Sequence, residues 1–266
     1  MNAFLSAALL GLFAIVGSSH AATTLYSQNF ENPTGFVNDG GDVNIFRSVN
    51  QLYGNQPPGF SFAQDFTVET LIVGGTQAHG QGFKDPQGIG GQYVLGLLSN
   101  VQNDLLGLAF NVGSNRFLNL RVDVSSIDLS TFGGPFVSVG GAAPAFRFSL
   151  YDNPGGGNGV GSGTPLSFAD AAGVAGPNKF TFDWRNIVAG LDATGNTNGN
   201  VILRVDLLSG GYAAFDNLVV ASSDIQGEVP TVPEPGTWLL MLGGLAAVVG
   251  ARRRSELLVR EQGVPS

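Results

Sequence analysis

Cysteine is absent from all 266 residues, which removes disulfides, thiolate metal sites and cysteine nucleophiles together. Histidine is nearly absent. His20 falls in an apolar N-terminal leader, which leaves His79 in the stretch TQAHGQG (76–82). One imidazole without thiols is too small a ligand set for zinc hydrolysis. A Ser-His-Asp triad would have to use it, yet no Gly-x-Ser-x-Gly elbow is present, so His79 reads as a loop residue. Positive charge is also scarce: twelve Lys and Arg stand against twenty Asp and Glu, a net −8. Scattered basic residues form no patch to hold phosphates, which excludes nucleic acid as a partner. The glycine-rich stretches 153–163 and 194–200 lack a following Gly-Lys-Ser/Thr and read as turns, not phosphate cradles. Between the two ends of the chain no segment shows a helical period.

What the chain does have is glycine, forty of them, with thirteen prolines and charged residues at only 12%. That composition suits short strands joined by many turns. Alternation then places the strands. In 116–124, Leu118, Leu120, Val122 and Val124 share one face while Asn119, Arg121 and Asp123 share the other. The same two-residue period runs through 145–150 (Phe146, Phe148, Leu150), 179–184 (Phe180, Phe182, Trp184) and 201–208 (Val201, Leu203, Val205, Leu207). Further strands are expected over 24–30, 43–49, 60–68, 92–97, 105–112 and 212–220. One apolar and one wet face per strand is the pattern of antiparallel sheets packed as a β-sandwich. The fold class expected is all-β.

The two ends read differently. Residues 1–21 carry an apolar run from Phe4 to Val16, then GSSHA, with Ser19 and Ala21 at the −3 and −1 positions of a cleavage site. This reads as a signal peptide whose only positive charge is the terminal amine; a membrane anchor is the competing reading. Near the other end, Pro233, Glu234 and Pro235 precede an uncharged run over 237–251, closed by Arg252, Arg253 and Arg254. Fifteen helical residues rise about 22 Å, short of a hydrocarbon core of about 30 Å, which local thinning and arginine snorkelling accommodate. Trp238 suits an interface anchor and the arginines a cytoplasmic stop; a buried core helix with a basic cap is the alternative.

Val-Pro-Glu-Pro, a short apolar helix and an arginine cluster resemble the sorting tail of PEP-CTERM proteins. These are exported proteins of Gram-negative bacteria, often from strains that make extracellular polysaccharide. The resemblance implies a partner, the membrane protease-transpeptidase exosortase, acting at Pro233–Glu234–Pro235. It implies export through the inner membrane, transient anchoring there, then a place at the cell surface or in the extracellular matrix. Family members usually stop soon after the basic cluster, whereas this chain continues through 255–266. The expected organisation is a signal peptide (1–21), a β-sandwich (22–221), a linker (222–231), the sorting tail (232–254, transmembrane helix 237–251) and a cytoplasmic extension (255–266).

Within the sandwich, Gln28-Asn29-Phe30-Glu31 and Phe215-Asp216-Asn217-Leu218-Val219 resemble the opening and closing strands of carbohydrate-binding-module-like jelly rolls. The resemblance implies that Glu31 and Asp216 ligate a structural Ca²⁺, with backbone carbonyls completing the oxygen shell. An acid within an apolar strand is costly unless paired or metal-bound, but alternation with Phe215 equally allows Asp216 to face solvent. Two functions remain: a surface or matrix protein, structural or adhesive or binding extracellular polysaccharide, and a secreted glycan hydrolase using paired aspartates. For sugar stacking, Tyr53, Phe60 and Tyr93 are the aromatic candidates.

Overall fold

The alternating segments form twelve strands in the computed structural model, which describes residues 21–45, 47, 49–54, 61–62, 68–98, 105–127, 143–161, 163–178, 180–210 and 212–230. They are β1 (Thr23–Gln28), β2 (Val43–Asn44), β3 (Ser61–Phe62), β4 (Val68–Ile72), β5 (Tyr93–Leu97), β6 (Leu105–Asn111), β7 (Phe117–Ile127), β8 (Ala145–Asp152), β9 (Pro165–Ala172), β10 (Arg185–Asp192), β11 (Asn200–Ser209) and β12 (Tyr212–Ser223). One sheet has the order β10-β7-β12-β5-β4-β2, with β1 also on β12; the other has the order β3-β6-β11-β8-β9. Every pairing between these strands is antiparallel.

The sheets share one core. Leu118, Leu120, Val122 and Val124 of β7 and Phe215 and Val220 of β12 join Phe146, Phe148 and Leu150 of β8 and Val201, Leu203 and Val205 of β11 in one buried cluster. Two sheets that bury their apolar faces against each other make a β-sandwich, as the alternation required. A smaller cluster, with Phe83, Phe182 and Trp184, packs at the opposite face of the first sheet.

β12 organises the first sheet. β7 pairs along one of its edges, while β1 and β5 follow one another along the other: Gln28 lies opposite Leu218, and Leu95 opposite Phe215. The gap between β1 and β5 falls at a bulge between Asp216 and Val219, where Asn217 has φ +51°.

Two expectations are corrected here. Of the strand expected over 179–184, residues 180–184 form none: Thr181 makes isolated bridges to Lys84 and Asn178, and Phe182 and Trp184 enter the smaller cluster from an irregular segment. The sheets instead end on β10 and β2 and on β3 and β9. The sequence boundary at 221 falls within β12, and the folded unit Met1–Val229 continues beyond it. The second unit, Pro230–Ser266, is described only at Pro230. Ser19, the sorting motif (Pro233, Glu234, Pro235), the 237–251 span, Arg252, Arg253, Arg254 and Phe60 lie outside the described residues. Among the described residues no helix is long and apolar enough to cross a membrane.

Candidate functional site

The outer face of the five-stranded sheet carries an ordered array built by register. Because Phe146, Phe148 and Leu150 of β8 face the core, Arg147, Ser149 and Tyr151 face outward. Antiparallel pairing sets each beside an outward residue of β11 and of β9. The rows are Ile202–Tyr151–Pro165, then Arg204–Ser149–Phe168, then Asp206–Arg147–Asp170.

Charge and ring contacts tie the rows together. Arg147 holds Asp170 through two parallel bonds of 2.7 Å, and its guanidinium lies 4.5 Å from the centre of the Phe168 ring. Arg204 lies 4.8 Å over Tyr151, donates from Nε to Asp206 at 3.0 Å and from Nη1 to the Gly161 carbonyl at 3.2 Å. The guanidinium beside Asp170 lowers its carboxyl pKa, whereas burial raises that of Asp206 despite Arg204. Both arginines are thus fixed as planar donors on aromatic faces.

Between the rows lies a cavity of about 360 Å³, lined by Arg147, Ser149, Tyr151, Leu166, Phe168 and Arg204 among others. That volume lies within the range of small-ligand sites. The glycine-rich loop after β8 packs beside this face, where the Gly161 carbonyl accepts from Arg204. A Cβ on Gly107 would come within 2.1 Å of the Gly159 carbonyl, and one on Gly161 (φ +74°) within 2.6 Å of the Tyr151 ring. These two glycines let the loop close onto the sheet. Phe168 remains 63% exposed, the most exposed large apolar side chain among the described residues. The Oγ of neighbouring Ser167 is buried with no hydrogen-bond partner.

The aromatics expected from sequence lie elsewhere. Tyr53 is buried and meets Phe30 edge-on; Tyr93 is half-buried and meets Phe36 edge-on. Burial also raises the Tyr53 hydroxyl pKa. Neither ring presents the open face that sugar stacking needs. Tyr151 and Phe168 went unnoticed because their partners come from cross-strand register, although alternation in 145–150 already set Arg147 outward.

A second feature occupies the gap between β1 and β5. Asp216 is 1% exposed, so the solvent-facing reading is overturned. The bulge that follows it turns the strand, and its carboxylate accepts a 2.7 Å bond from the Asn217 amide. Burial, reinforced by Glu31, Asp123 and Asp85, pushes its pKa up to about 8. Glu31 closes the gap from the β1 side, its Oε1 accepting the amides of Gln92 (2.7 Å) and Tyr93 (3.2 Å). Gly91 (φ +55°) makes room for it, since a Cβ there would lie 2.0 Å from Oε1. The Asn217 side-chain amide bridges the Ile89 carbonyl and Asp123. The Asp216 and Glu31 carboxylates and the Ile89 carbonyl are oxygen ligands, the chemistry a calcium ion requires. Among the described residues, no group of three or more His, Asp or Glu converges to hold a metal ion. A cation here would take Asp216 and Glu31 with carbonyls or water.

Residues 231–254 match the model of the PEP-CTERM protein-sorting motif. The chain carries a PEP-CTERM tail. No curated protein sequence matches it. Among solved structures, it resembles TmCBM61 in complex with β-1,4-galactotriose, at 8% identity over 63% of this chain and 91% of that one, with a TM-score of 0.35. It also resembles the C-terminal family 22 carbohydrate-binding module of Clostridium thermocellum Xyn10B, at 14% identity over 74% and 93%, with a TM-score of 0.37. A third likeness is to an arabinose-bound α-L-arabinofuranosidase, MgGH51, at 11% identity over 77% of this chain and 30% of that one, with a TM-score of 0.39.

Proposed function

We infer that this protein is exported, processed at its PEP-CTERM tail by exosortase, and displayed at the cell surface or in the extracellular matrix, where its β-sandwich binds glycan. The observation that carries the binding reading is the array around Ser149. A sugar ring offers axial C–H groups to an aromatic face and equatorial hydroxyls to planar donors. Exposed Phe168, with Tyr151 beyond it, supplies the apolar faces, and Arg147 and Arg204 supply donors held in place by their own ion pairs. Prefixed side chains lose little freedom on binding, which favours affinity. The acids of this array, Asp170 and Asp206, are engaged by the two arginines, so the hydrolase reading draws no support from it.

The glycan reading is tested by screening residues 22–229 against a polysaccharide panel alongside Phe168→Ala. Binding by the parent and its loss in the variant, with an unchanged melt, is the expected result. A folded parent that retains no glycan, or a Phe168→Ala variant that binds as well as the parent, would sink it. For the tail, the expected product in exosortase-bearing cells lacks the mass of residues 236–266.

In the same fold, we assign Glu31 and Asp216 to a structural Ca²⁺ that ties β1 and β5 to the bulge of β12. The support is a carboxyl that burial, reinforced by Glu31, Asp123 and Asp85, drives toward protonation. Bound Ca²⁺ would let Asp216 remain ionised while buried.

A further inference from the structure

The sequence reads residues 222–231 as a linker, but the chain beyond β12 is gripped. Ser222 and Ser223 still pair with β7. Asp224 Oδ1 then accepts the Arg116 amide at 3.0 Å, and the Gln226 side chain donates to the Gly190 carbonyl at 3.0 Å. Asn119, fully buried on β7, spends both ends of its side chain on this segment. Its Nδ2 donates to the Ile225 carbonyl (3.0 Å), and its Oδ1 accepts the Gly227 amide (2.7 Å). Ser223 Oγ accepts the Ile225 amide at 2.9 Å and bonds the Glu228 carboxylate. β10 has been cleared for the passage: a Cβ on Gly190 would lie 2.5 Å from the Gly227 nitrogen. A buried amide that serves only the departing chain is a built clasp, since an unmatched buried polar group is costly.

The clasp leaves only Val229, Pro230, Thr231 and Val232 between Glu228 and Pro233. Five steps of extended chain reach at most about 17 Å, roughly the radius of gyration of a domain this size. Release back to Ser223 makes ten steps and about doubles that reach. We propose that the Asp224–Glu228 clasp is a positioning element for tail processing: it shortens the free tether that leads to the sorting motif, and cleavage proceeds through the opened clasp. Asn119 is its positioning residue. The proposal rests on the exosortase reading above.

The test uses the full-length chain and has two arms. In exosortase-bearing cells, a six-residue Gly/Ser spacer inserted between Val229 and Pro230 leaves every clasp contact intact and lengthens the tether. The expected result is tail removal about threefold or more faster than in the parent. In the same cells Asn119→Ala accelerates removal similarly, and adding it to the spacer chain changes little further. A spacer variant cleaved at or below the parent's rate overturns the proposal, whether or not Asn119→Ala folds. In the second arm, purified full-length protein in detergent is treated with a Glu-specific endoprotease, without exosortase. Cleavage after Glu228 is expected to be about tenfold faster in Asn119→Ala than in the parent; equal rates would show that there is no clasp. Tail removal from Glu234→Ala at the parent's rate would instead defeat the sorting reading, an outcome distinct from failure of the spacer.

Discussion

The gap at β12 and the outer face of the other sheet both gather charge, in opposite ways. On the outer face each guanidinium meets a carboxylate of its own, Arg147 with Asp170 and Arg204 with Asp206. The charges cancel locally, and Phe168, capped by Arg147 on one side, still leaves most of its surface exposed. At the gap, burial pushes the Asp216 carboxyl up to about 8, and the charged neighbours that add to it are all acids, Glu31, Asp123 and Asp85. A self-neutralised surface is ready for an uncharged, hydroxyl-rich ligand. An unbalanced one calls for a cation. On the proposed function, the first region is where binding would be read out, and the second where stability would be.

Separating these roles gives the sharpest tests. The largest effect expected is on stability: saturating Ca²⁺ at about a hundred times its dissociation constant adds about 2.7 kcal/mol, seen as a higher melting temperature than in chelator. Asp216→Ala should abolish the difference; a melt indifferent to Ca²⁺ in the parent would remove the metal from the account. Next comes Phe168→Ala, expected to weaken glycan binding about tenfold, or 1.4 kcal/mol, with no change in melting. If that substitution instead lowered the melt, the two regions would not be separable. A third test uses pH in chelator. Asp216 has a folded pKa raised above its unfolded value of about 3.9, so its contribution is fully present below that value. It declines as pH rises toward about 8, because the folded state there holds the extra proton. The melting temperature should fall across that window, and Ca²⁺ or Asp216→Asn should flatten the slope. The smallest effect belongs to Arg116→Ala. Its exposed ion pair with Asp192 should leave the chemical denaturation midpoint almost unchanged.

Much of the sandwich was legible because its central strands keep one face dry. β7, β8 and β11 alternate without a break, and their apolar positions are the core. The edge strands were harder. β9 (PLSFADAA) is wet or half-wet along its whole length, and only half-buried Leu166, Ala169 and Ala171 reach the core. Just ahead of β10, Phe180, Phe182 and Trp184 alternate like a strand, but two of them fill a side cluster without sheet neighbours. Sequence placed Glu31 and Asp216 as an acid pair at the domain's two ends, yet the bulge that buries Asp216 is a matter of register, which alternation does not encode. The Arg–aromatic face was hidden for the same reason: Ser149 has Arg204 on one side and Phe168 on the other only once three strands are aligned.

The pairing of β1 with β12 has a consequence in time. Thr23 lies opposite Ser222, so the first strand of the domain is completed by the last, 199 positions along the chain (222 − 23). A chain exported from its N-terminus delivers β1 long before β12 exists beside it. The first sheet cannot close, nor can the acids at the β1 gap meet, until nearly the whole domain has crossed. Long-range strand pairing of this kind is slow. On the export reading, such an arrangement would keep the domain threadable during its passage and postpone the finished fold to the far side of the membrane.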